Sequence, residues 1–106
     1  MELSFDVNTA CKVGPEAAVV LRYIEDGEKL SKRLERFGEC ATGFIFKDGR
    51  IWTEGRASVM TSILSFLSEE EIEEALTKLT DEEYLEESEF LNHGHHCYAI
   101  KEEDNG

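Results

Sequence analysis

Positive charge is scarce in the C-terminal half of this sequence: beyond Arg56 only Lys78 and Lys101 are basic, against fourteen acidic residues. Long apolar runs are also lacking. The longest, residues 17–21, is about a quarter of what a membrane-spanning helix requires, so a transmembrane role is not expected. Cysteine is sparse, and Cys11, Cys40 and Cys97 are odd in number and far apart, which argues against a disulfide framework. With Glu2 directly after Met1 and no apolar leader, this predicts a reduced, intracellular protein. There is no glycine-rich phosphate loop, no C-x-x-C, no H-x-x-x-H and no carboxylate pair at a recognisable catalytic spacing. Catalysis, a cofactor and a metal are therefore not expected.

What is present suffices for one modest core. At 106 residues and 41% hydrophobic, the chain reads as a single domain over residues 1–101 with a frayed acidic tail at 102–106. Its net charge of -13 is unevenly distributed. Residues 1–28 carry -4 and residues 57–106 carry -12. Between them, Lys29, Lys32, Arg33, Arg36, Lys47, Arg50 and Arg56 give residues 29–56 a charge of +3. A field of this kind repels phosphate backbones and attracts basic surfaces.

Periodicity and punctuation predict mostly helix with two hairpins. Residues 8–13 read as a short helix capped by Asn8 and ended by Gly14, and Pro15 suits the first turn of a second helix. Asp26-Gly27 is expected to interrupt that helix before a basic amphipathic portion whose apolar face runs through Leu30, Leu34 and Phe37. Residues 44–46 and 51–53 flank Asp48-Gly49, a tight-turn dipeptide. A short helix over 57–63, with Val59, Met60 and Ile63 inward, precedes a longer one introduced by Ser68 and Glu71, a capping-box pair. Ile72, Ala75, Leu76 and Leu79 mark the buried face of that longer helix. Strands over 84–90 and 96–101 close the chain. Helix, turn, helix and a terminal two-stranded wing, in an α+β and mostly helical chain, predict a single winged helix-turn-helix domain.

Phe5 with "ACKVGPEAAVVL", "FKDGRIW" at 46–52, "FLS" at 66–68, the "IEEALTKL" helix and Tyr98 in the last strand resemble one family in their order and spacing. The chain is similar, over about residues 5–100, to the N-terminal winged-helix domains of phage replisome organisers and plasmid replication initiators. The resemblance implies a phage or mobile-element protein in a bacterial cytoplasm, and places the helix after "FLS" where the family presents a helix to DNA. Here its outward positions are Glu69, Glu70, Glu73 and Glu74. Glu83 stands where the family usually has a glycine, and the wing offers Glu86, Glu87 and Glu89.

Glutamates are good helix formers, and Glu69–Glu71 suit the positive end of the helix dipole, so a solvated face is the plain alternative. Glu70, Glu73 and Glu74, however, repel one another by a few tenths of a kcal/mol per pair, and only Lys78 is placed to relieve Glu74. Neighbouring helix positions are spaced about 5–6 Å apart, close to phosphates along a strand. The expectation is a partner-binding face of Glu69, Glu70, Glu73, Glu74, Glu83, Glu86, Glu87 and Glu89 that meets a basic nucleic-acid-handling protein. It would act as a nucleic-acid mimic or blocker, the kind of inhibitor that anti-CRISPRs and other anti-defence proteins are. The second expectation is a DNA-binding replication accessory or transcription regulator using Lys32, Arg33, Arg36, Arg50 and Arg56, unless these pair with the acidic half within the chain or across a homodimer.

"NHGHHCY" gathers His93, His95, His96 and Cys97, a set a metal reading would recruit. Alternate strand residues face opposite ways, so His96 and Cys97 should not converge, and the expected role is a polar turn with Cys97 inward.

Overall fold

Two helices joined at Gly14 open the region described by the computed structural model, residues 7–101. The expected tail at 102–106 and Phe5 lie outside it. The first helix, α1 (Val7–Val13), begins one residue ahead of Asn8. Gly14 ends it with φ 90°, a conformation that suits a residue lacking Cβ, and Pro15 starts α2 (Pro15–Leu34).

The expected break at Asp26-Gly27 does not occur, and α2 runs unbroken for 20 residues. Its buried stripe is Ala17, Val20, Leu21, Ile24, Gly27 and Ser31. In the second half, small residues face the core, and the Ser31 hydroxyl accepts the Ala41 N–H at 3.0 Å, fixing the chain that follows the helix. The predicted face through Leu30 and Phe37 is correspondingly turned outward, at 47% and 64% exposure, with Leu34 half-buried. A 3₁₀ turn over Glu35–Phe37 and Gly38 at φ 73° end this arm.

The strands are β1 (Phe44–Lys47), β2 (Arg50–Glu54), β3 (Leu85–Asn92) and β4 (His95–Ile100). Asp48-Gly49, at φ 53° and 75°, makes the predicted tight turn, and His93-Gly94 makes a second at φ 52° and 80°. The two hairpins join through Thr53 opposite Tyr98 and Glu54 opposite Cys97. One four-stranded antiparallel sheet results, in the order β1-β2-β4-β3. The terminal hairpin is thus half of a larger sheet rather than a separate appendage.

Phe44, Ile51, Leu85, Tyr98 and Ile100 face the helices, whereas Trp52, Cys97 and Ala99 form a small cluster on the other side with Ile45 and Phe90. Phe90 reaches that side through a bulge. Between the Glu87–Tyr98 and Leu91–His96 pairs, three residues of β3 lie opposite Cys97 alone. Ser88 fills the gap in the ladder: its hydroxyl accepts from Cys97 N–H at 2.8 Å and donates to Phe90 C=O at 2.6 Å.

Between the hairpins stand α3 (Ala57–Ile63) and α4 (Glu69–Asp81). Ala57 and Met60 anchor α3, while Ile63 is 36% exposed rather than inward, because Leu64 and Leu67 take the core positions at the turn. The Ser68–Glu71 capping box forms in both directions, at 3.0 and 3.1 Å. Ile72, Ala75, Leu76 and Leu79 are buried, and each large side chain among them contributes about 1.5–3 kcal/mol by leaving water. Glu83 closes α4 at φ 64°, with its N–H on Thr80 C=O and Tyr84 N–H on Leu79 C=O. That is the double hydrogen bond of a Schellman ending with glutamate in glycine's usual place. The domain is α+β and mostly helical, with one core between α2, α3, α4 and the sheet.

Candidate protein-binding face

The inward period of α4 forces its remaining positions outward. Glu69, Glu70, Glu73, Glu74 and Thr77 are all exposed. Glu70, Glu73 and Glu74 line a shallow hollow with Thr77, Lys78 and Asp81. The favourable Glu74–Lys78 pair is not among the ion pairs of the described residues; Lys78 is the one cation that lines the hollow with these carboxylates among the described residues.

Tyr98 of β4 packs against the core on the helix side of the sheet. Its hydroxyl donates to Glu87 at 3.2 Å, and its pKa is pushed up to about 12. Burial is the largest cause, followed by the Glu87 charge and hydrogen bond, with Cys97 and Glu73 adding smaller repulsions. The hydrogen bond joins β4 to Glu87 of the neighbouring strand β3.

The other expected carboxylates are not gathered there. Glu83 sits at the end of α4, 3.1 Å from Lys101 Nζ. Glu86 faces the opposite side of the sheet and is ion-paired with Arg50. Glu89 lies on that side as well, near Asp48 and Phe90. Of the eight residues expected to act together, Glu69, Glu70, Glu73 and Glu74 share the exposed face of α4; Glu83 sits at its end, and Glu86, Glu87 and Glu89 line a hollow beside Asp48 and Phe90.

The basic candidates are dispersed. Lys32 and Arg50 line one groove of about 460 Å³ beside Phe46, but Glu28 and Glu35 line it too. Lys32 lies 3.1 Å from Glu28, and Arg50 is bound to Glu86 and to Ile100 C=O at 3.1 Å. Arg33 and Arg36 are exposed at the end of the α2 arm, with Arg36 over the Phe37 ring, and Arg56 is half-buried ahead of α3.

His93 pairs with Glu54 at 2.7 Å, and Asn92 donates to the same carboxylate. His96 Nδ1 lies 2.8 Å from Ser88 C=O, His95 is exposed, and Cys97 is fully buried on the other face. Among the described residues no group of three His, Cys, Asp or Glu side chains is placed to hold a metal ion. Burial, then the Glu54 charge, pushes the Cys97 thiol pKa up, and burial does the same to Cys40; both shifts oppose formation of a reactive thiolate. No described helix is long and apolar enough to cross a membrane.

Two features escape the sequence reading. One is the Tyr98–Glu87 hydrogen bond across β4 and β3, which depends on the register of that hairpin. The aromatic cluster of Trp52 and Phe90 on the far face is signalled only by Arg50-x-Trp52, since the bulge hides Phe90. Fold and site together define a small α+β domain with an acidic helix packed against a four-stranded antiparallel sheet. The chain matches no family model, no curated protein and no solved structure.

Proposed function

We propose that this chain is a non-catalytic winged-helix protein of phage or mobile-element type. In a bacterial cytoplasm it would bind a nucleic-acid-handling protein through the exposed face of α4. The helix-turn-helix reading is supported by α3, the five-residue turn 64–68 and α4, followed directly by the β3–β4 hairpin. The observation that carries the functional reading is the exposed carboxylate face of α4, where Glu70, Glu73 and Glu74 line one shallow hollow and none is in an ion pair among the described residues.

A helix in this position gains affinity for DNA only by neutralising phosphates, and each like-charge approach opposes it. The same face suits the basic groove of a protein that holds nucleic acid, so its action is that of a mimic or blocker, as an anti-defence inhibitor would require. Direct DNA binding through the basic segment is less well supported, since Lys32 and Arg50 each already have a carboxylate partner.

Affinity capture from a host lysate, with and without nuclease, tests the reading. A basic nucleic-acid enzyme should be retained after nuclease treatment and released by Glu70→Lys/Glu73→Lys/Glu74→Lys. Retention by the triple variant would move the interface elsewhere. Salt-sensitive DNA binding by the wild-type chain in a gel-shift series would instead favour the basic segment.

A further inference from the structure

On the side of the sheet away from the helices, Trp52 and Phe90 meet edge to face with ring centroids 5.2 Å apart. Each ring carries a cation: Lys47 Nζ is 4.3 Å from the centre of Phe90, and the Arg50 guanidinium is 4.9 Å from that of Trp52. Asp48, Glu86, Glu87 and Glu89 line the adjoining hollow of about 290 Å³, where Arg50 is the only cationic lining residue among the described residues. Aromatic faces attract ammonium and guanidinium groups, and surrounding carboxylates reinforce that preference.

The two cations are held differently. Arg50 is fixed by Glu86 and by Ile100 C=O, and its long side chain belongs to the structure of the face. Lys47 is exposed, is the last residue of edge strand β1, and has no carboxylate partner among the ion pairs of the described residues. Its ammonium can leave Phe90 without abandoning an ion pair.

We propose that this outer face is a docking surface for a lysine- or arginine-bearing segment of a partner protein, with the partner's cationic side chain replacing Lys47 over Phe90. The excess of carboxylates in the hollow selects a basic occupant. None of the α4 carboxylates lines this hollow, and its function does not depend on that helix being an interface.

The probe is a hexa-arginine peptide, and the readout is the indole N–H signal of Trp52, the only tryptophan, in an NMR titration. Binding should shift that signal saturably. Asp48→Asn/Glu89→Gln should weaken the apparent Kd about fivefold, whereas Glu70→Gln/Glu74→Gln, which removes the same charge from α4, should change it by less than about twofold. Lys47→Ala should tighten binding more than Lys29→Ala, although both remove one positive charge. Equal weakening by the two glutamine and asparagine pairs, equal tightening by the two alanine variants, or an indole signal that does not move would overturn the proposal. None of these outcomes depends on whether α4 captures a protein from lysate, so the two readings fail independently.

Discussion

Phe44 lies where a side chain on Gly27 would stand: a Cβ built there falls within the van der Waals envelope of the Phe44 ring. This contact ties the middle of α2 to β1, and explains a glycine inside a long helix. Gly27→Ala gains about 1 kcal/mol of helix propensity but forces the ring to move, an overpacking cost of about 1–3 kcal/mol or more. The expected net effect is a loss of stability, read as a lower urea midpoint with an unchanged m-value. Phe44→Leu in the same chain should recover part of it; a Gly27→Ala variant more stable than wild type would refute this account of the contact.

Tyr98 makes stability fall at high pH. Its folded-state pKa of about 12 lies above the ordinary value of 10, so the native state holds the phenolic proton where the unfolded chain releases it. The associated stability is complete below about pH 10 and is lost as the pH rises through 12, amounting to about 1 kcal/mol after allowance for screening at a half-exposed group. Urea midpoints at pH 8, 10 and 11 should decline less steeply in Tyr98→Phe than in wild type. The absorbance titration of tyrosinate should lose its latest-titrating component in the same variant. Parallel pH profiles for the two proteins would show that this phenol is not responsible.

Glu83 holds a left-handed conformation at the end of α4, where a side chain is costly and glycine is not. Its ion pair with Lys101 is solvent-exposed and contributes little. Glu83→Gly should therefore stabilise the fold by about 0.5–1 kcal/mol, visible as a higher midpoint in chemical denaturation. A loss of stability would assign more weight to the Lys101 pair than its exposure suggests.

The elements legible in the sequence are those whose causes are local. Ser68 and Glu71 cap α4 from three residues apart, its core stripe follows the helical period, and Asp48-Gly49 carries its own turn geometry. Gly27 misleads because Asp-Gly is a local breaker signal, overridden here by a ring from another element. Leu30 and Phe37 mislead because the core takes Gly27 and Ser31 in place of larger residues. The candidate site divides in the same way. Exposure along α4 follows from periodicity, but the pairing of Glu86 with Arg50 of β2 depends on the joining of the two hairpins.

Ser88 gives a direct test of how the bulge positions the outer aromatic pair. It is 3% exposed, and its hydroxyl serves both Cys97 N–H and Phe90 C=O. Ser88→Ala leaves a buried donor and acceptor without that partner, at a cost of about 1–3 kcal/mol. Because Phe90 reaches Trp52 through this irregularity, the substitution should also alter the environment of the indole ring. Two measurements should move together: the urea midpoint should fall, and the native-state fluorescence of Trp52 should shift. Ser88→Thr keeps the hydroxyl and should retain most of the native emission if its extra methyl is accommodated. A Ser88→Ala protein that is destabilised with wild-type Trp52 emission would separate the hydrogen bonds from the placement of Phe90. An altered emission recovered by Ser88→Thr would identify the hydroxyl as the group that holds the aromatic pair together.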